Sequence, residues 1–514
     1  MLLLLCLIAL IINLFSQIIR KEAGLMALIK SLISIITAFL FSLSLMPGPQ
    51  ITENITGNDT PGFKSFEPEL LTASPAVSEV YAASFGSTAL DRVTGSDSRS
   101  GVTFVCGVSN KADGNFVGAG SLRYPFGFVA KFDTSGNILN VAFYSDSSLA
   151  VHVSDVCALR NGGAVICGYT YSSGNQNVKT TAFAAAYNSN LELVWQTSLE
   201  GSNNVEFNSI SATANGFVAG GKTNSVDGDF AGTDFYGASG AFLMRYKLTD
   251  NAETGETEGT LMWKKTFFGE GASEVTEVSV DGSNNIFVCI STDSVSGSYA
   301  GFDGLINGSL DNVLLKYNGI GVLQWYYVLA SAGRDNFNFV GADSSGGCIV
   351  GGYTFRNGAI AGSNLGGTLD GITASGGTDS FVFRFSADGK LSWHRSVSGA
   401  GDDFITSVAK VGSNFVAGGY SDSRTREFSS NYGGFDGFAD VISSDGSRQV
   451  QMINFGGSEN DRVNAMSVTN GYLFIGGISA STDGWFDGKC QYASVQSGAA
   501  GSQDISDCFV AIYN

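Results

Sequence analysis

Proline, histidine and basic residues are all scarce in this chain of 514 residues. It has 6 Pro, 2 His and 28 Lys plus Arg against 47 Asp plus Glu, for a net charge of -19. So few cations argue against nucleic acid as a partner, because phosphate binding needs a Lys/Arg surface. The two histidines, His152 and His394, are not placed together by any pattern, which gives a Ser-His-Asp arrangement little support. The 8 Cys contain no C-x-x-C pair, which argues against zinc. The Gly-rich strings lack a P-loop Lys and a following helix, which argues against a nucleotide role. No Gly-X-Y period accompanies the 68 Gly, so the chain is not collagen-like. What remains is 44% apolar residues, ample for a large core, and Gly-rich turns between many short strands. That combination fits an all-β repeat protein.

Residues 1–19 are almost wholly apolar, Arg20, Lys21 and Lys30 follow, and Ser31–Met46 is a second apolar run. Two readings stand. Met26 is the true start of a secretory signal with the basic opening MALIK, or both apolar runs enter the membrane with the basic residues cytoplasmic. Either way residues 1–48 form a signal peptide or membrane anchor, and the rest is expected outside the cytoplasm, extracellular or in the cell envelope. Residues 49–78 read as a polar linker; five of the six prolines fall in Pro47–Ser78.

From residue 79 to 514 one unit recurs, clearest at Gly216–Phe235: a short apolar strand, Gly-Gly, a Thr, then an acidic loop holding Asp-Gly-Asp-Phe. The hydroxyl two residues after the second small residue is present seven times, at Ser109, Thr170, Thr223, Thr292, Thr354, Ser421 and Ser479. The period is about 62 residues, longer than common propeller repeats. Each copy has four strand-like runs, A to D, and strand D carries Trp195, Trp263, Trp325 or Trp393 in four copies. Cys106, Cys167 and Cys289 share a repeat position with Gly220, Gly351, Gly418 and Gly476, so a small residue is wanted there for close packing. The last copy ends after strand C, while Val80–Gly86 matches the end of strand D. The expectation is therefore a seven-bladed β-propeller of four-stranded antiparallel blades, closed by an N-terminal outer strand in the last blade. Cys490 and Cys508 are the one disulfide pair the spacing suggests.

The unit FGGSENDRV…GGIS…DGWFDG…DCFVAIY resembles the bacterial extracellular β-propeller repeats of the SBBP type, with a strand order similar to NHL repeats. The resemblance covers about residues 79–514 and departs most in the second copy, where Tyr169–Ala182 lacks the Asp-Gly-Asp-Phe loop. It implies a surface or secreted protein more than an activity.

Antiparallel strands place the B–C loops and the D–A connections on one face, which gathers many carboxylates. Asp227, Asp229 and Asp234 are the densest group and the candidate calcium ligands, since hard oxygens on tight turns suit Ca²⁺. The competing reading is that these aspartates cap turns. Trp485, Phe230, Tyr236 and Phe302 are the candidate ligand-binding aromatics on that face, or else tether the loops. The expected role is a monomeric, non-enzymatic binding or adhesion scaffold for a glycan or protein. The alternative is a propeller hydrolase or lyase acting on extracellular polysaccharide through paired carboxylates.

Overall fold

The computed structural model describes residues 77–119, 125–172, 179–233, 237–251, 255–302, 310–330, 335–355, 361–362, 377–425, 428–489 and 507–514. The N-terminal apolar runs lie outside them. Among the described residues no helix is long and apolar enough to cross a membrane.

The described residues form seven antiparallel sheets arranged as propeller blades. Blade 1 shows the plan: strand A Asp91–Arg99, B Val102–Ser109, C Phe126–Asp133 and D Ile138–Tyr144, paired in that order. The later A strands are Ala150–Ala158, Val205–Thr213, Ser273–Val280, Asp335–Ala342, Asp403–Val411 and Asp461–Thr469. Each A strand neighbours that of the next blade, and the seventh neighbours the first, so the ring is continuous. In blade 7 the outermost position is filled by Glu79–Phe85, which pairs antiparallel with Asp507–Tyr513 from Glu79↔Tyr513 to Phe85↔Cys508. Blade 4 gains a short fifth strand, Ala361–Gly362, on its outer edge.

Why these residues build these strands is visible in their burial. Strand B of blade 3, GFVAGGKT, and strand C of blade 6, DGFADVI, are buried almost throughout, as strands covered by blades on both faces must be. The outer strand ILNVAFY is half exposed. The recurrent glycine of strand B has a specific cause. All seven A strands carry a bulge at one register position, as between Phe207 and Ser209 or Ile405 and Ser407. The bulge pushes a carbonyl toward strand B, so a Cβ on Gly221 would strike the oxygen of Glu206, and one on Gly419 that of Phe404. The preceding small residue faces the next blade instead: Gly351 lies against Ile405, and Gly418 against Met466.

The strand D tryptophans pack between blades. Trp195 lies 5.9 Å from Phe217 and 5.8 Å from Tyr246 of the following blade, and Trp393 lies 5.5 Å from Phe415. Trp325 and Trp393 also donate Nε1–H to the carbonyls of Ala387 and Ser444, at 3.0 and 3.1 Å. Of the suggested disulfide pair, Cys508 is a free, buried thiol packed in the core of its blade, and Cys490 lies outside the described residues.

Candidate functional site

The acidic face is built from a recurring turn. After strand B, Asp-Gly-x-aromatic forms one turn of 3-10 helix at Gly114–Phe116, Gly228–Phe230 and Gly484–Phe486, and Ser296 replaces the Asp before Gly297–Tyr299. Gly114, Gly228, Gly297 and Gly484 have φ of 58°, 56°, 62° and 63°, the left-handed region that favours glycine. The aromatic then turns inward and is buried. The carboxylate closes the turn against the incoming D–A connection. Asp113 accepts the N–H of Thr88, Asp227 that of Ser202 and Asp483 that of Ser458, each at 2.7 Å.

That geometry places the sequence-derived candidates. Asp227 is engaged by Ser202, whose backbone N–H holds its carboxyl below the usual range. Asp229 accepts the N–H of Glu200 at 2.6 Å. Asp234 and Tyr236 lie outside the described residues. Among the described residues no group of three Asp, Glu, His or Cys is arranged to hold a metal ion. Phe230 is a correction: it is fully buried, 5.0 Å from Phe242, because it plugs its own turn, and it offers no ring face to a ligand. Phe302 packs edge-on against Tyr326 at 4.7 Å. Trp485 is partly buried against Phe455, Phe486 and Phe509, with the ammonium of Lys489 3.8 Å from its ring centroid. His152 and His394 stay apart, on the inner strand of blade 2 and the outer strand of blade 5. Burial takes His152 down to about 4, so it is neutral at physiological pH.

A different set of carboxylates converges at the ring axis. The A strands of all seven blades surround a cavity of about 410 Å³, and into it come Asp97, Asp155 and Glu277, with Arg99 at the wall. The local reason is an edge problem. Each A strand is the inner edge of its sheet, and its unpaired N–H groups need acceptors. The preceding blade supplies them. Ser209 Oγ accepts the N–H of Val278 at 3.1 Å, Ser211 that of Val280 at 3.1 Å, Ser279 that of Ala342 at 2.9 Å and Ser407 that of Met466 at 3.0 Å. In blades 1 and 2 a carboxylate does the same work: Asp97 accepts from Ala158 at 2.8 Å and Asp155 from Ile210 at 2.9 Å.

Ser209 also donates its hydroxyl to Asp155 at 2.9 Å. Burial raises the carboxyl of Asp155, against the lowering effect of its hydrogen bonds. Glu277 is raised by burial first and by the charge of Asp155 second, while Ser209 favours its ionised form. Asp97 is likewise raised by burial. Gly95 makes room for this group, since a Cβ there would lie 2.5 Å from an Asp155 oxygen. The arrangement can hold a proton between neighbouring carboxyls or receive a positively charged or hydroxylated group. Sequence reading missed these acids because it sought carboxylates in loops. The available signal was an acid inside an otherwise apolar A strand, as in SDVCA and VTEVSV.

The strand order thus defines a seven-bladed β-propeller with an acid-lined axial cavity. No family model matches the chain, and no curated protein matches it. Among solved structures it is similar to Kuenenia stuttgartiensis hydrazine synthase, with a TM-score of 0.40 and 8% identity over 74% of this chain and 92% of that one. It is also similar to Sqt1 from Chaetomium thermophilum, with a TM-score of 0.34 and 13% identity over 78% and 83%. A third is the phage phi92 endosialidase, with a TM-score of 0.37 and 10% identity over 84% and 68%. The architecture rests on the strand pairing of the chain itself.

Proposed function

We propose that this protein is an exported, non-enzymatic binding propeller of the cell envelope or its surroundings, which takes a glycan or a basic protein segment at the axial cavity. The carrying observation is the convergence of Asp97, Asp155 and Glu277 on one polar cavity. Binding sites concentrate where a rigid scaffold presents a few polar groups in a concavity. The apolar N-terminal runs support export, and the net charge of -19 favours a cationic or neutral ligand. The test is a screen of the full chain against glycans and Lys/Arg-rich peptides, repeated with Glu277→Gln. Binding that weakens at least tenfold in the variant supports the reading. Absence of binding across both ligand classes rejects it.

A hydrolase acting on extracellular polysaccharide is the second reading, favoured by one observation. Asp155 and Glu277 are neighbouring carboxyls both raised by burial, and an acid kept protonated near neutrality is what glycoside cleavage requires. Reducing-end release from polysaccharides, abolished in Glu277→Gln, would move the assignment to this reading.

A further inference from the structure

We propose that the groove between blades 2 and 3, on the face opposite the acidic loops, is a second binding site, which takes an uncharged sugar unit. The inference goes beyond the axial cavity and does not depend on it. The repeat is broken here. Strands C and D of blade 3, Gly240–Asp250 and Thr257–Phe267, have 11 residues each, against six to eight in the other blades. Their extra length forms a hairpin that leans onto the preceding blade. Gly259 permits the contact, since a Cβ there would lie 2.3 Å from the ring of Trp195. Between the hairpin and blade 2 lies a cavity of about 340 Å³. Small-molecule sites usually have about 300–1,000 Å³.

The groove has an apolar floor and a polar rim. Leu159 and Ala186 are buried, Leu248 packs against the same core, and Val194 is 37% exposed beside them. On the rim, Asn161 and Asn215 stand exposed on the A–B turns of the two blades. Asn161 Oδ1 accepts the N–H of Gly163 at 3.1 Å, and Asn215 Oδ1 accepts from the guanidinium of Arg245 at 3.3 Å. Both amides are thereby oriented, with Nδ2 left to donate. Arg160 brings a third donor, and Asp250 the carboxylate of the lining, whose Oδ1 accepts the hydroxyl of Thr257 at 2.9 Å. The walls are fixed by the backbone. The N–H of Leu248 donates to the carbonyl of Asn215 at 2.9 Å, and that of Ala214 to Asn284 Oδ1 of blade 4 at 2.7 Å. A ligand therefore meets a formed site rather than one it must order.

The chemistry of the lining selects the class of ligand. One cation and one anion face the groove, Arg160 and Asp250. An anionic ligand would meet Asp250 and a cationic one Arg160, and each is disfavoured by the like charge. A hydroxyl both donates and accepts, so it can pair with amide, guanidinium and carboxylate alike. A sugar ring also carries C–H faces, which can cover the apolar floor. The lengthened hairpin belongs to blade 3 alone, so the site is expected once per ring.

The test is titration calorimetry of the full chain with maltose, cellobiose and diacetylchitobiose, beside glucuronate and putrescine as charged probes. Saturable binding of at least one disaccharide is expected. It should weaken at least tenfold in Val194→Trp, which fills the groove from an exposed position, and in Asn215→Leu, which removes a donor. Glu277→Gln should leave the affinity unchanged, which separates the groove from the axial cavity. Val194→Trp decides the matter if Asn215→Leu does not fold. The proposal is overturned if no disaccharide binds, if the groove variants bind as the parent does, or if Glu277→Gln removes the binding. Glucuronate or putrescine bound in this groove more tightly than every disaccharide overturns it too.

Discussion

Gly228 shows how the acidic loops are made. Its φ of 56° and the nearby carbonyl of Glu200 leave no room for a side chain. Asp227 before it and Phe230 after it then fall into place as clamp and plug. Gly228→Ala should therefore destabilise the protein by about 1–3 kcal/mol, seen as a lower denaturant midpoint with an unchanged slope. Asp227→Ala should cost less, because the N–H of Ser202 can turn to water. The recurrence of Asp-Gly-x-aromatic was plain in the sequence. Whether its oxygens faced outward to a ligand or back onto a neighbouring N–H was not, since that depends on a connection arriving from the previous blade.

At the level of the strand, the inner edge is the feature that needed solving. Hydroxyls and carboxylates from one blade close the free N–H groups of the next, and side chains at the bulges add bonds of the opposite sense. Asn208 Nδ2 donates to the carbonyl of Val275 at 2.9 Å, Thr406 Oγ1 to Val463 at 2.6 Å and Asn464 Nδ2 to Val93 at 2.8 Å. Ser209 stands at the centre of this pattern. Ser209→Ala should cost about 1–3 kcal/mol, since it leaves the N–H of Val278 without its acceptor. It should also raise the Asp155 carboxyl further, because a hydrogen bond to its ionised form is lost. Denaturant unfolding reads the first effect, and a carboxyl titration by NMR reads the second. On strand C, Lys316 is buried and bolts blade 4 to blade 5 through the carbonyls of Gly346 and Ala387, at 2.7 and 2.9 Å. Lys316→Met keeps most of the volume but strands both carbonyls. A loss of about 1–3 kcal/mol in unfolding free energy is expected.

For the whole ring, pH acts in a definite direction. Burial holds Asp91, Asp403 and Asp461 each up at about 6. In the unfolded chain an aspartate titrates near ~3.9, so between these values the folded state binds more protons. The stability these groups contribute is complete below about pH 4 and is lost as pH rises through about 6. Self-repulsion from the net charge of -19 also grows over that range. The melting temperature should therefore be several degrees higher at pH ~5 than at pH ~7.5. A curve that is flat or rises with pH would contradict this account. Continuity of the ring carries a second expectation. Removing residues through Gly86 leaves the edge of Asp507–Tyr513 bare, and the truncated protein should oligomerise or aggregate on size-exclusion chromatography.

The sequence by itself determined the number of modules, the four strands in each and the positions that must stay small. Those properties repeat along the chain, and each follows from local backbone geometry or from one unvarying neighbour. Only the tertiary structure decided which carboxyls meet. Asp97, Asp155 and Glu277 come from three different blades, on strands where the bulge sets which side chains turn toward the axis. Burial and partnership belong to the assembled ring, and no single repeat contains them.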